Sequence, residues 1–202
     1  MKQRTTRVRL IALGAAAIIG LAACGGSDDA AEEVSEEAEE TVSTTGNDCT
    51  AGKTLAEGKL TIATGNPAYE PWVVGDAPES KEGFEAAVAY GVAAEMGFSD
   101  ENVVWVRTGF DEAIQPGAKN FDFNLQQFSI TDERKQTVSF SDPYYTTNQA
   151  VVGFADSPVA GATSTADLKG LKFGAQAGTT SLDFITNVIK PDTEPFVYDD
   201  NA

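Results

Sequence analysis

Apolar and polar positions divide the 202-residue chain into three unlike stretches. Residues 10–23, LIALGAAAIIGLAA, are apolar throughout, and residues 25–48, GGSDDAAEEVSEEAEETVSTTGND, hold almost no large apolar side chain. From Leu55 onward, short apolar runs alternate with segments of helical spacing. KLTIAT (59–64) predicts a strand that ends in the turn-prone GNP. GFEAAVAYGVAAEMGF (83–98) predicts a helix that stops at Gly97. NVVWVR (102–107) reads as a strand, GFDEAIQPG (109–117) as a short helix closed by Pro-Gly, and FDFNLQQF (121–128) as a strand. TVSF (137–140) and QAVVGF (149–154) read as two more strands. TADLKG (165–170) then reads as a short helix, LKFGAQ (171–176) as a strand, TTSLDFITNVI (179–189) as a helix and PFVYDD (195–200) as the start of a strand. Strands alternating with helices predict an α/β class with mostly parallel sheet.

The front of the chain changes that picture. Lys2, Arg4, Arg7 and Arg9 precede the apolar run, which is too short and too rich in Ala and Gly for a permanent span. Leu21-Ala22-Ala23-Cys24 resembles the bacterial lipobox, in which the cysteine is lipidated and becomes the first residue after cleavage. The expectation is a lipoprotein signal peptide over residues 1–23 with Cys24 as the lipidation site; the plain alternative is an ordinary signal peptide or an uncleaved anchor. Residues 24–54 then read as an acidic disordered tether, because a like-charged segment without large apolar residues cannot offset its chain entropy.

The chain carries 14 basic and 31 acidic side chains. Removing the four basic residues with the signal leaves 10 against 31, a net charge of −21. Such a surface argues against nucleic acid and anionic lipid as partners. There is no histidine, which excludes Ser-His-Asp and Cys-His catalysis and the commonest zinc sites, so no metal or cofactor is expected. With Cys24 assigned to lipid, Cys49 is left as a free thiol or as half of a pair completed elsewhere.

Three motifs carry candidate chemistry. GNPAYEPWV presents Asn66, Tyr69 and Trp72 in a Pro-stiffened loop after a strand, where ligands sit in open α/β sheets. Its aromatics either stack on a ligand or cap the core. QQFSITDER gathers Gln126, Gln127, Ser129, Thr131 and Arg134. An arginine fork fits a carboxylate with two parallel hydrogen bonds; alternatively Thr131 caps a helix and Arg134 is an exposed charge, and both hold together if the helix start also favours an anion. GAQAGTTSLDF places Thr179, Thr180 and Ser181 after Gly178 at a helix start, suited to an anion or simply capped. The Walker lysine and spacing are absent, so this is no phosphate loop.

In order and spacing, GFEAAVA from Gly83, FDFNLQQFSITDER from Phe121, VSFSDPYYTTNQAVV from Val138 and DLKGLKFGAQAGTTS from Asp167 resemble the extracellular solute-binding proteins of family 3, and more narrowly their actinobacterial lipoprotein members. The resemblance implies a periplasmic-binding-protein-like clamp of two lobes (type II) joined by hinge strands. It puts residues 55–149 in lobe 1 and residues 150–202 in the hinge and part of lobe 2. Arg134 matches the family's carboxylate anchor, Ser129 a position that hydrogen-bonds the ligand, Tyr69 the stacking aromatic and Asn66 a polar position of the same loop. Thr180 and Ser181 match the lobe-two contacts that close on the carboxylate, and Ser141–Tyr145 leads into the hinge near Gln149. Two departures stand out: a frequent acidic position is Ala87 here, and the small residues before the Ser-Ile-Thr run are Gln126 and Gln127, whose longer amides are expected to reshape the pocket. In the family, lobe two continues beyond the equivalent of YDDNA and supplies an aspartate to the ligand's ammonium, so the chain is expected to be a fragment or a truncated product with lobe two incomplete.

The function implied is the substrate-binding component of an amino acid ABC importer. It would be held by lipid on the extracellular face of the cell membrane as a monomer, and would pass a free amino acid to permease and ATPase subunits. Two other classes stay open. A same-fold enzyme of the cyclohexadienyl-dehydratase kind would need an acid–base pair, whereas the cleft candidates are amides and hydroxyls. A ligand sensor would use the same clamp for signalling. No catalytic residue is assigned.

Overall fold

Every residue of strand β1 (Leu60–Gly65) is buried, as expected of a central strand covered on both faces. The computed structural model describes residues 44–201. The expectations for the signal peptide, for Cys24 and for the tether up to residue 43 lie outside the described residues. Strand β1 is flanked by β2 (Val103–Thr108) and β3 (Phe123–Asn124), both parallel to it. Leu60 faces Val103 and Gly65 faces Thr108 across one edge; Ile62 faces Phe123 across the other. Helix α1 (Phe84–Glu95) crosses over between β1 and β2. Ala89 and Ala93 lie one helical turn apart and pack on Leu60, Ile62, Phe98 and Leu125 to form the core of this lobe. Helix α2 (Phe110–Ile114) follows β2 directly.

The second lobe repeats the strand–helix–strand unit on a smaller scale. Strand β4 (Gly174–Gln176) leads into α3 (Thr180–Phe184), which continues as a π-helical turn, Ile185–Ile189. Strand β5 (Phe196–Tyr198) returns parallel to β4, with Gly174 facing Phe196 and Gln176 facing Tyr198. Leu168, Phe173, Ile185 and Ile189 form the core here. The parallel α/β reading of the sequence agrees with this architecture.

Three segments differ from expectation. The strand expected over 121–128 pairs only at Phe123 and Asn124, because Gln127 turns to the left-handed region at φ +52° and ends it. Residues 137–140 and 149–154 are irregular, not strands. Neither segment joins a described sheet, and an apolar β-prone run without a ladder partner does not form a strand. Residues 44–54 fold onto α1 and do not extend as tether. Gly46 N–H and Asn47 N–H donate to the carbonyls of Gly97 and Met96, both at 3.0 Å, and Asn47 Nδ2 donates to Glu95 O at 3.2 Å. These donors satisfy carbonyls that the end of α1 would otherwise leave unpaired. Gly97, at φ +82°, permits the approach, since a Cβ there would meet Asn47 N at 2.9 Å. Cys49 is an exposed free thiol.

Candidate functional site

The loop from β1 is fixed from below by an ion pair. Arg107, on β2, donates to Gly65 O and to Asp76 Oδ1, each at 2.7 Å. Asp76 in turn accepts from Ala68 N–H at 2.8 Å. The Ala68 hydrogen bond, with Arg107 beside it, holds the Asp76 carboxyl below the usual range. Residues 66–76 are therefore pinned at both ends. Within them Asn66 is exposed, and the hydroxyl of half-buried Tyr69 accepts a hydrogen bond from Asn201 N–H at 3.0 Å. Trp72 turns the other way. Its ring meets Phe84 and Tyr145 edge-on at 5.8 and 5.2 Å, so it belongs to an aromatic cluster that ties the loop to α1 and to the Ser-Asp-Pro-Tyr-Tyr segment.

Arg134 is 8% exposed. Its Nη1 donates to Ser129 O and its Nη2 to Gly178 O, each at 2.8 Å, so one guanidinium spans both lobes. It also lies 5.4 Å from the ring centres of Phe110 and Phe128, which stack on each other at 4.2 Å. Among the described residues no carboxylate forms an ion pair with it. Burial pushes its pKa down, and the carboxylates of Asp183, Glu133 and Asp111 act more weakly from a distance in the other direction. Arginine stays charged under such a shift. Two of its five N–H donors are used, so it is a buried cation with donors to spare, the electrostatic requirement for docking an anion. Thr131 Oγ1 accepts from Arg134 N–H at 3.2 Å, so the threonine organises the turn that carries the arginine.

Facing Arg134 are the residues at the start of α3. Ser129 Oγ and Thr180 Oγ1 are 3.2 Å apart across the two lobes. Gln149 binds both Thr180 Oγ1, as donor at 3.3 Å, and Ser181 Oγ, as acceptor at 2.9 Å. Thr179 is occupied otherwise: its hydroxyl donates to Gln176 O at 2.7 Å and accepts from Leu182 N–H at 3.2 Å, which caps α3.

The structure thus brings Ser129, Arg134, Thr180 and Ser181 together, with Thr131 supporting Arg134. It commits Trp72, Gln127 and Thr179 to scaffold contacts. Gln126 is buried and accepts from Asn124 Nδ2 at 3.3 Å, and Gln127 points its amide at Glu85 Oε2. Sequence reasoning passed over Phe110, Phe128 and Glu85, and named Gln149 only as a hinge position. The first two look like core residues in sequence; for Phe110 the only signal is the Gly-Phe pair that opens a helix directly after a strand, and Phe128 has none. Glu85 sits in the first turn of a largely apolar helix, where it reads as a surface charge.

Residues 60–195, well over half of the chain, fit the model of the bacterial extracellular solute-binding proteins, family 3. A probable histidine-binding protein of Campylobacter jejuni is 33% identical over 124 residues, 59% of this chain and 45% of that protein. The arginine-binding extracellular protein of Bacillus subtilis is 32% identical over 123 residues, 60% of this chain and 46% of that protein. The chain therefore spans about half the length of these relatives. Among solved structures, an arginine-specific periplasmic binding protein of Salmonella typhimurium superposes with a TM-score of 0.54 at 31% identity, covering 70% of this chain and 60% of that one. The chain belongs to the bacterial extracellular solute-binding proteins of family 3 and has their two-lobed α/β fold.

Proposed function

We propose that this chain binds a free amino acid between its two lobes, with Arg134 holding the α-carboxylate, and hands it to a membrane permease driven by an ATPase. The observation that carries the reading is the buried, unpaired guanidinium that touches both lobes. A carboxylate docked there would gain two charge-assisted hydrogen bonds and bring the charge into balance. Ser129, Thr180 and Ser181 supply hydroxyls beside it, and we add Tyr69 and Asn66, on the loop after β1, as further ligand contacts. Basic amino acids are the first ligands to try, because the relatives named above bind arginine or are assigned to histidine. Lipidation at Cys24 would keep the protein on the extracellular face of the membrane beside its permease. We place the lobe boundary near 149–150, a reading supported by the hydrogen bonds between Gln149 and Thr180 and Ser181.

A thermal melt of the lipid-free chain (Cys24→Ser) against single amino acids tests this. A ligand that binds only the folded state raises the melting temperature by mass action. One or a few amino acids are expected to do so. A cooperative melt that none of them shifts would overturn the reading and favour a same-fold enzyme or a sensor for another solute.

A further inference from the structure

We propose that Glu85 is the positioning residue of the binding loop: its buried carboxylate holds both ends of the excursion, residues 127–144, that carries the Arg134 anchor. Glu85 lies in the first turn of α1 and is 1% exposed. Its Oε1 accepts from Gln127 N–H at 2.8 Å and from Tyr144 O–H at 2.5 Å, and its Oε2 accepts from Gln127 Nε2. Among the described residues no cation pairs with it. A buried carboxylate without a cation is costly, and three donors are what make it tolerable. Those donors come from two places only, the start of the excursion at Gln127 and its end at Tyr144.

The start is a strained point. Gln127 sits at φ +52°, a region that an L-residue with a side chain enters only at an energetic cost. Glu85 takes both the backbone and the side-chain donor of that residue, so the bend is held by the carboxylate. Two residues on, Ser129 gives its carbonyl to Arg134 and its hydroxyl to Thr180. At the other end, Tyr144 precedes the segment that reaches Gln149, which grips Thr180 and Ser181. The carboxylate touches none of the proposed ligand groups, and acts through the bend it fixes. The helix start adds a favourable field for the charge.

This inference rests on the reading of Arg134 as the anchor, and its test separates the two. Amide hydrogen exchange is measured on the lipid-free full chain without ligand, for the parent and for Glu85→Gln. Amides 127–134 are expected to exchange about tenfold faster in the variant, while Ala89 and Ala93 inside α1 keep their protection. Unchanged exchange in the loop overturns the proposal, and so does a loss of protection spread equally through α1. The second arm is a cycle with Gln127→Gly. Glycine adopts the left-handed bend unaided, so Glu85→Gln is expected to speed loop exchange much less in that background. Equal effects in both backgrounds would also overturn it. L-arginine affinity is then measured. A fall of about tenfold in Glu85→Gln is expected, and unchanged affinity counts against the positioning role. If the parent binds no amino acid while the exchange pattern holds, the function reading fails and Glu85 still positions the loop.

Discussion

At the scale of a single residue, the role proposed for Arg134 is binding, at some expense to the empty fold. A buried cation without a counter-charge contributes little to stability, whereas removing the docking fork removes two charge-assisted bonds to a carboxylate. Arg134→Met keeps the length and the apolar contact with Phe110 and Phe128. It is expected to melt close to the parent and to lose amino acid affinity by at least about 100-fold, roughly 3 kcal/mol. Retained affinity in calorimetry would remove Arg134 from the site. Glu85 obeys a different balance. Burial raises its pKa above the usual carboxylate value, and the hydrogen bonds from Tyr144 and Gln127 offset this only in part. The folded state then keeps a proton that the unfolded state has released. Stability is therefore expected to fall as pH rises from the ordinary glutamate range through the raised folded value, and to level off above it. Urea titrations at a series of pH values check this. Glu85→Gln should flatten that part of the profile, and an unaltered profile would contradict the assignment.

At the scale of elements, the turn between β4 and α3 is the second place where backbone conformation serves the site. Gly178 lies at φ +67°, and a Cβ there would stand 2.1 Å from Asp111 Oδ1. The Asp111 side chain is exposed and can swing aside, so the backbone conformation is the main cost. Gly178→Ala is expected to lower stability by about 1 kcal/mol. It should also weaken ligand binding, because Gly178 O is a partner of Arg134. Adding Asp111→Ala should restore little; full recovery of the melt would show that the clash, not the bend, was the cost. These elements also show what a sequence can reveal. β1, α1, β2 and the unit from β4 to β5 were legible because their apolar spacing matches the period of the element that buries them. Residues 137–140 and 149–154 were not, because strand character depends on a partner as well as on local residue types. That Arg134, Ser129, Thr180 and Ser181 come together was foreshadowed by motif order. Glu85 was not, since only the fold brings Gln127 and Tyr144 to it. The reach of residues 44–54 was missed for the same reason: Asn47 has a capping role only once the end of α1 is beside it.

At the scale of the molecule, the two lobes are unequal. The first has a central strand covered on both faces. The second exposes Val152, Phe154, Phe196, Val197 and Tyr198 along its two-strand sheet and the segment entering it. The lobes are joined at polar contacts from Ser129, Arg134 and Gln149, and a junction of hydrogen bonds can open and close more readily than an apolar one. That suits a clamp whose closed state is stabilised by the solute it encloses. The central claim is that this solute is an amino acid gripped by its carboxylate. Its most direct test is a calorimetric titration of the lipid-free chain with L-arginine and, in parallel, with agmatine, which keeps the guanidinium arm and lacks the carboxylate. Binding of arginine with no measurable binding of agmatine is the predicted result. Equal binding of both, or binding of agmatine alone, would contradict it.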